Sequence, residues 1–361
     1  MSQTHELKAL TSARGIAAWL VVLFHIRLSL NWAPASAIAV FAKGYLAVDF
    51  FFLLSGFVIW LTWAERIRVR GWKAVPHFLQ KRVARIWPLH LAILGAMVAL
   101  ALLLAATGRA DPDYYPFDAL PLHVFLLQNW GFTHGLAWND PSWSISCELA
   151  AYLVFPFLAL AIDWRRVPSW AVIAAIVAMI TLLHAIMANG GALTLGTGIT
   201  RFGLARCILE FASGGAVCAL WLRWRSSPGV PGWVAAAVAG LLFWGWLADL
   251  VPETLAVPLA FAALLLALAL SCGARGNMLE VAPLHYLGEI SYATYLGHFL
   301  LFVLFKIAFV DDPRAIPPLL AALFLVMVLG LSVALYHLVE RPAQRWVNSL
   351  ALPGHPHRTP A

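Results

Sequence analysis

Residues 88–107 read PLHLAILGAMVALALLLAAT, a run of 20 residues that contains one histidine and no charged side chain. A helix of this length spans about 30 Å, which matches the hydrocarbon thickness of a bilayer. The stretch therefore predicts a membrane-spanning helix. The whole chain agrees, because 62% of its 361 residues are hydrophobic and 11% are charged, whereas soluble domains carry roughly 25% charged residues. This composition excludes an ordinary cytosolic enzyme, a disordered chain and a disulfide scaffold.

Apolar runs of similar length recur along the chain and predict an all-α, polytopic membrane protein with ten transmembrane helices. The predicted spans are residues 13–33, 45–64, 88–107, 143–163, 169–188, 202–222, 232–250, 255–272, 290–310 and 317–338. The first run exceeds the roughly 7–15 apolar residues of a signal-peptide core and contains His25 and Arg27, so we expect it to be retained.

The distribution of cationic residues predicts the orientation of these spans. Lys and Arg cluster in alternate connections, and because such residues remain on the cytoplasmic side, both termini are expected there. The cationic set is Lys8, Arg66, Arg68, Arg70, Lys73, Lys81, Arg82, Arg85, Arg165, Arg166, Arg223, Arg225, Arg275, Arg341 and Arg345. We expect a membrane domain over residues 1–345 and a short, disordered cytoplasmic tail over residues 346–361. We attribute the net positive charge of the chain to these cytoplasmic connections, so no nucleic-acid partner is expected.

Ionisable residues inside membrane helices are costly and mark functional sites by default. Arg14 and His25 are eleven residues apart, so they share a helix face and lie about 16 Å apart along the axis. An anionic cofactor entering from the cytoplasm could hold its charged end at Arg14 and extend its reactive end toward His25. The alternative is an arginine that reaches the interface and a histidine held by helix packing.

Two further groups lie near the ends of predicted spans. The stretch GYLAVDFFFLLSGF, residues 44–57, places Asp49 inside the second span, where it could orient a histidine or receive a hydroxyl. Arg82 and Arg85 precede the third span and share a face. Their guanidinium groups suit phosphates, although a cationic loop that contacts anionic lipid headgroups would look the same.

Polar and aromatic residues also mark the fourth and ninth spans. The stretch WSISCE, residues 143–148, combines Trp143, Ser144 and Ser146 with Glu148. Such side chains suit saccharide faces and hydroxyls, and equally an interfacial aromatic belt. In the ninth span Tyr295 and His298 share a face. A mutual ion pair is expected between Arg206 and Glu210, and a structural ion pair or helix cap is expected at Glu340-Arg341-Pro342. The four cysteines have no metal-binding spacing, so free thiols and no metal site are expected.

Six motifs in this order resemble those of membrane-bound acyltransferase family 3, over about residues 8–345. The matching positions are Arg14 to His25 (R-x10-H), Asp49 to Phe57 (D-x-F-F-x-L-S-G-F), Arg82 to Arg85 (R-x-x-R), Trp143 to Glu148 (W-S-L-S-x-E, with Ile145 for Leu), Ser291 to His298 (S-Y-x-x-Y-L-x-H) and Glu340 to Pro342 (E-R-P).

The resemblance implies a stand-alone O-acyltransferase of the bacterial cytoplasmic (inner) membrane. Such enzymes move an acyl group, most often acetyl from acetyl-CoA, to a hydroxyl of a glycan or lipid-linked saccharide. It further implies that His25 and the arginines of R-x-x-R are essential, with the phosphates of the acyl-CoA held by Arg82, Arg85 and Arg14. Asp49 and Glu148 join His25 as candidate catalytic residues, and either carboxylate could hold the tautomer of the imidazole. Trp143, Ser144, Ser146, Tyr295 and His298 are candidate residues for binding the acceptor.

The chemistry at His25 has two forms that the sequence leaves open. The imidazole could act as general base on the acceptor hydroxyl, or it could carry the acyl group as an acyl-imidazole. A transporter or flippase for a glycan or organic anion is the alternative function, although no inverted repeat is apparent. The acceptor, the acylated position and the oligomeric state are not specified by the sequence.

Overall fold

The computed structural model describes residues 7–274, 276–312 and 314–350. Within these ranges the chain is helical and contains no strand, which confirms the prediction of an all-α, polytopic membrane protein. The helices are α1 (Lys8–Ile26), α2 (Ala35–Phe41), α3 (Ala47–Arg70), α4 (Val75–Ala106), α5 (Leu120–Val124), α6 (Ser142–Ala161), α7 (Ser169–Asn189), α8 (Ile199–Trp224), α9 (Gly229–Leu247), α10 (Glu253–Ser271), α11 (Ala282–Glu289), α12 (Ser291–Phe309), α13 (Pro318–Leu335), a π-helical turn (Tyr336–Glu340) and α14 (Arg341–Ser349).

Nine stretches of the described chain are long and apolar enough to cross a bilayer. One of them, Ala35–Ala106, contains two long helices, α3 and α4, which are separated at Gly71. Gly71 has a φ of 60°, a conformation that glycine adopts without steric cost. Each of the ten predicted runs therefore corresponds to a long helix. The number of membrane crossings and the cytoplasmic location of the termini stay predictions.

The first helix ends earlier than predicted. Its α-helical part stops at Ile26 and a 3-10 turn, Arg27–Ser29, follows, whereas the hydrophobic run had predicted a helix to residue 33. The guanidinium of Arg27 lies 3.8 Å from the centre of the Phe24 ring and donates to the Phe24 carbonyl. This contact satisfies a carbonyl that the end of the helix leaves open. His25 consequently lies in the last turn of α1.

Helix α1 runs in the same direction as α12. Arg14 donates to the carbonyl of Gly288, just before α12 begins. A second contact joins His25, eleven residues after Arg14, to His298, ten residues after Gly288. At the first of these contacts Gly15 packs against the backbone of Gly288, where an added Cβ would overlap main-chain atoms. Small residues thus allow the close approach that aligns the two segments.

The connection between α4 and α6, residues 107–141, folds back into the bundle. The Trp87 indole donates to the carbonyl of Val124 at 2.7 Å, and the His90 imidazole donates to the carbonyl of His123 at 2.8 Å. Non-helical backbone is tolerated at membrane depth only where protein or water satisfies it. Contacts of this kind leave no mark on hydropathy, from which the spans are predicted.

The predicted tail begins within a helix. Helix α14 extends to Ser349 and so includes the first residues of the segment 346–361. Residues 351–361 lie outside the described residues, as does Arg275 of the cationic set. The expected disorder of the tail therefore stays a prediction.

Helices α3 and α8 pack closely against each other in the core. An added Cβ at Gly56 would overlap the carbonyl oxygen of Phe211, and one at Gly214 would overlap that of Leu53. Because the obstacle is main chain, it cannot turn aside as a flexible side chain would. The Ser55-Gly56 pair of the second predicted span is thus a site of close helix approach.

We predict that Gly56→Ala lowers the free energy of unfolding by about 1–3 kcal/mol, since the added methyl must separate α3 from α8. Thermal unfolding of detergent-solubilised protein, followed by tryptophan fluorescence, measures the change. Gly95→Ala is the matched control, because a Cβ added at this position of α4 meets no other element within 4 Å in the described chain. An equal melting temperature for both variants would contradict this packing of α3 on α8.

Candidate active site

A cavity of about 150 Å³ lies among α1, α3, α4, α6 and α12. Its polar lining is Arg14, Ser55, Arg82, Arg85, Ser144, Glu148, Tyr152, Ser291, Tyr292 and Tyr295. The five helices therefore bring together all three predicted phosphate-binding arginines, one predicted catalytic carboxylate and two predicted acceptor-binding residues. Buried polar groups that converge on one cavity are typical of a binding or catalytic site.

The three arginines of the cavity differ in how their hydrogen-bonding groups are used. Arg14 donates to the carbonyl of Gly288 from Nε at 3.2 Å and from a terminal nitrogen at 2.7 Å. Arg85 forms an ion pair with Glu340. Arg82 lies 5.9 Å from the centre of the Tyr152 ring, and its buried Nε has no hydrogen-bond partner in the described chain. Arg82 is therefore the arginine with an unused donor for an incoming anion.

Glu340 pairs across the bundle rather than with its sequence neighbour. The structural ion pair expected at the E-R-P motif is formed by Glu340 with Arg85, and Glu340 is 2% exposed. Its carboxylate is placed there by the π-helical turn Tyr336–Glu340, whose wider winding shifts the side chains that follow α13. Such turns occur frequently at functional sites. The E-R-P motif marked this position, but its partner on α4 is remote in the sequence.

Glu148 lies on the cavity wall as the sequence predicted, with two hydroxyl donors. Ser55 donates to it at 2.5 Å and Tyr152 at 2.6 Å. These bonds tie α3 to α6 and hold the carboxylate at the cavity. Nothing in the described chain connects Glu148 to His25, so the expectation that it orients the imidazole is not met.

Of the five predicted acceptor-binding residues, two line the cavity and three do not. Ser144 and Tyr295 line the cavity, with their hydroxyl oxygens 2.7 Å apart and both within hydrogen-bond distance of the Pro141 carbonyl. Ser146 is fully buried and bonds to the backbone of Leu126 and Asn129, so it anchors the connection between α4 and α6. It is therefore placed as a structural residue and not as part of the cavity wall.

Trp143 lies at a second, smaller depression in the folded-back connection. This depression of about 10 Å³ is lined also by His123, Gln128 and Asp140, and has room for about one water molecule. Burial lowers the pKa of His123 to about 4, with the neighbouring His90 contributing, so the ring is neutral at pH 7. Burial raises the pKa of the Asp140 carboxyl. A depression of this size does not admit a saccharide.

His25 and His298 form a pair beside the cavity. The Nδ1 atom of His25 lies 3.1 Å from Nε2 of His298, and the ring centres are 4.9 Å apart. Neither histidine lines the cavity described above, but Tyr295, which does, has its ring centre 6.4 Å from that of His298. His298 and Tyr295 thus lie between His25 and the arginine-lined cavity.

Asp49 pairs with Arg206 and not with a histidine. Arg206 donates to one oxygen of Asp49 from Nε at 3.1 Å and from a terminal nitrogen at 2.7 Å, and both residues are at most 1% exposed. The prediction of an Arg206–Glu210 pair is therefore wrong, because the packing of α3 on α8 places Asp49 within hydrogen-bond distance of Arg206. Both carboxylate oxygens of Glu210 are buried without a hydrogen-bond partner in the described residues.

The described residues contain no group of three or more His, Cys, Asp and Glu side chains that could hold a metal ion. The site therefore offers guanidiniums, one carboxylate, hydroxyls and a histidine pair. Guanidiniums bind phosphate groups, and a histidine can act as a base or as a nucleophile. The arrangement suits group transfer from an anionic donor.

Comparison with known proteins identifies the family. A family model described as an acyltransferase domain matches residues 7–337. The chain is 32% identical to the acyltransferase MdmB of Streptomyces mycarofaciens over 82% of this chain and 79% of that protein. It is 28% identical to the exopolysaccharide production protein ExoZ of Rhizobium meliloti (strain 1021), over 84% and 91% respectively. It is 25% identical to the putative peptidoglycan O-acetyltransferase YrhL of Bacillus subtilis (strain 168), over 94% and 55%. No solved structure matches the chain.

We predict that Asp49→Ala destabilises the protein by about 3–5 kcal/mol, because Arg206 then remains as a buried charge without its partner. The double variant Asp49→Ala with Arg206→Met removes both charges and should recover most of this loss. Thermal unfolding in detergent compares the variants, with Asp113→Ala in the exposed part of the connection as control. A single variant as stable as the control would show that the ion pair does not hold α3 and α8 together.

Proposed function

Because this chain belongs to membrane-bound acyltransferase family 3, we propose that it transfers an acyl group, acetyl in the first instance, from cytoplasmic acyl-CoA to a hydroxyl of a glycan or lipid-linked saccharide. The chain is an acyltransferase; the donor and the acceptor are the proposed part. The observation that carries the proposal is the convergence of Arg14, Arg82 and Arg85 on one cavity inside the helix bundle.

The donor is proposed from the charge of this cavity. Three guanidiniums face it, while Glu340 and Glu148 are the carboxylates at or beside it. Coenzyme A carries several phosphate groups, and arginine binds phosphate through charge-assisted hydrogen bonds. Arg82 would supply its unused Nε, with Arg14 and Arg85 beside it. Because these arginines lie near the predicted cytoplasmic ends of α1 and α4, the donor would enter from the cytoplasm.

His25 is the proposed centre of the chemistry. It lies eleven residues beyond Arg14 on α1, which corresponds to about 16 Å along the helix. Such a separation suits a donor whose phosphates and reactive thioester lie at opposite ends of a flexible arm. His25 would act as general base on the acceptor hydroxyl, or would accept the acyl group itself. In both forms the group moves from the thioester to the hydroxyl oxygen, and the thiol is released.

The acceptor is proposed from the relatives and from the cavity wall. The names of two relatives refer to exopolysaccharide production and to peptidoglycan O-acetylation. Ser144 and Tyr295, together with Glu148, offer this chain's cavity both donors and acceptors for saccharide hydroxyls. We place the enzyme in the cytoplasmic membrane of a bacterium. Family membership favours this function over transport of a glycan or organic anion.

We predict that His25→Ala lowers the rate of acyl transfer by about 10²–10⁴-fold, the usual contribution of a positioned general base. Protein in liposomes is supplied with radiolabelled acetyl-CoA, and thiol release is measured. Base-labile acetate in the surface glycans of expressing cells gives a second measurement. His184→Ala is the control, because His184 bonds to Thr254 away from the cavity. Full activity of His25→Ala would remove this residue from the chemistry.

We predict that Arg82→Ala raises the KM for acetyl-CoA about tenfold or more, since a hydrogen bond to a charged group contributes about 1.5–3 kcal/mol. Arg82 is chosen over Arg85 because removal of Arg85 would leave Glu340 buried without its partner. The control is Arg66→Ala, an exposed arginine on α3 whose guanidinium lies over the Trp63 ring. An unchanged KM in Arg82→Ala would exclude its proposed contact with the donor.

A further inference from the structure

Hydrogen bonding determines which nitrogen of each ring in the histidine pair carries the proton. The Nδ1 atom of His298 lies 3.0 Å from the carbonyl oxygen of Thr294. A carbonyl only accepts, so Nδ1 of His298 must carry a hydrogen. In a neutral imidazole the other nitrogen, Nε2, then holds a lone pair. His298 therefore faces His25 as a hydrogen-bond acceptor.

The same reasoning applies to His25. Its Nδ1 lies 2.9 Å from the carbonyl oxygen of Val21 and 3.1 Å from the lone pair of His298. Both neighbours accept, so Nδ1 of His25 carries a hydrogen that the two share. The Nε2 atom of His25 is left with its lone pair, which is the atom that a base or a nucleophile uses. No hydrogen bond in the described chain occupies this atom.

We propose that His298 is a positioning residue that fixes the protonation pattern of His25 and stabilises the proton that His25 takes up, an assignment that rests on the proposed function. His298 is 1% exposed, so its ring is held in place by packing. It occupies the position in which many enzymes place a carboxylate to orient a catalytic histidine. Neither of the carboxylates expected there, Asp49 and Glu148, contacts His25.

The surroundings explain why a neutral ring serves in this position. The rings of Phe24 and Phe299 pack edge-on against His25, with centres 5.2 Å and 5.3 Å away. The cations Arg27 on the turn after α1 and Lys306 on α12 lie over the rings of Phe24 and Phe302. A buried carboxylate among aromatic rings would require a charged partner of its own, whereas a neutral imidazole accepts the hydrogen bond without that cost.

The proton follows a balanced path in the general-base route. The acceptor hydroxyl loses its proton to Nε2 of His25 while its oxygen bonds to the thioester carbon. The carbon–sulfur bond then breaks, and the leaving thiolate takes the proton from Nε2. Throughout, Nδ1–H of His25 donates to His298, most strongly while His25 is charged. The acyl-imidazole route begins from the same Nε2 lone pair and has the same requirement.

The experiment compares His298→Gln with His298→Leu in liposomes supplied with acetyl-CoA. The side-chain oxygen of Gln can accept the hydrogen bond from His25, whereas Leu fills similar space and cannot. We expect His298→Leu to lower kcat about 100-fold, within the range for a general base, with the KM for acetyl-CoA unchanged. We expect His298→Gln to recover most of kcat. His184→Gln, remote from the pair, is the control.

Nitrogen NMR of protein labelled with ¹⁵N-histidine provides a readout that does not depend on activity. Wild type should show His25, identified by its loss in His25→Ala, with the proton on Nδ1, and His298→Leu should show a mixture of protonation patterns. Equal losses of kcat in the Gln and Leu variants, or a change confined to KM, would overturn the positioning role. If wild type does not consume acetyl-CoA, the proposed function fails, and an unchanged spectrum in His298→Leu would then overturn the positioning role as well.

Discussion

A charge inside a membrane protein is costly unless another group compensates it, and two buried ion pairs that meet this requirement organise the structure. Asp49 on α3 and Arg206 on α8 pair where the two helices approach through glycines. Arg85 on α4 pairs with Glu340 after α13. Each pair connects segments that are far apart in the sequence. The same helices line the cavity or support its walls, so the site takes its shape from these contacts.

The fold was largely predictable, because hydropathy is a local property of the sequence. The ten apolar runs all correspond to long helices, and the run at residues 169–188 is one residue shorter than α7. Departures occur where tertiary contacts end or redirect the chain. Helix α1 stops at Ile26 through the contacts of Arg27, and residues 107–141 fold inward against Trp87 and His90. Neither effect alters the hydrophobic pattern from which the spans were read.

The candidate site was predictable in its members but not in its pairings. Arg14, Arg82, Arg85, Glu148 and Tyr295 do meet at one cavity. The partners expected for Asp49, Arg206 and His25 differ from those in the structure, because the sequence does not state which helices are neighbours. His298 illustrates the point: its motif suggested a contact with the acceptor, whereas the structure places it 3.1 Å from His25.

The contact between Arg85 and Glu340 has a consequence for how an anion enters the cavity. This arginine is already neutralised in the structure, so a phosphate that reached it would exchange with a carboxylate rather than fill an empty cationic site. The affinity of the cavity for the anion would then depend on the free energy of the Arg85–phosphate contact minus that of the Arg85–Glu340 ion pair. Return of Glu340 to Arg85 would in turn favour release of the anion.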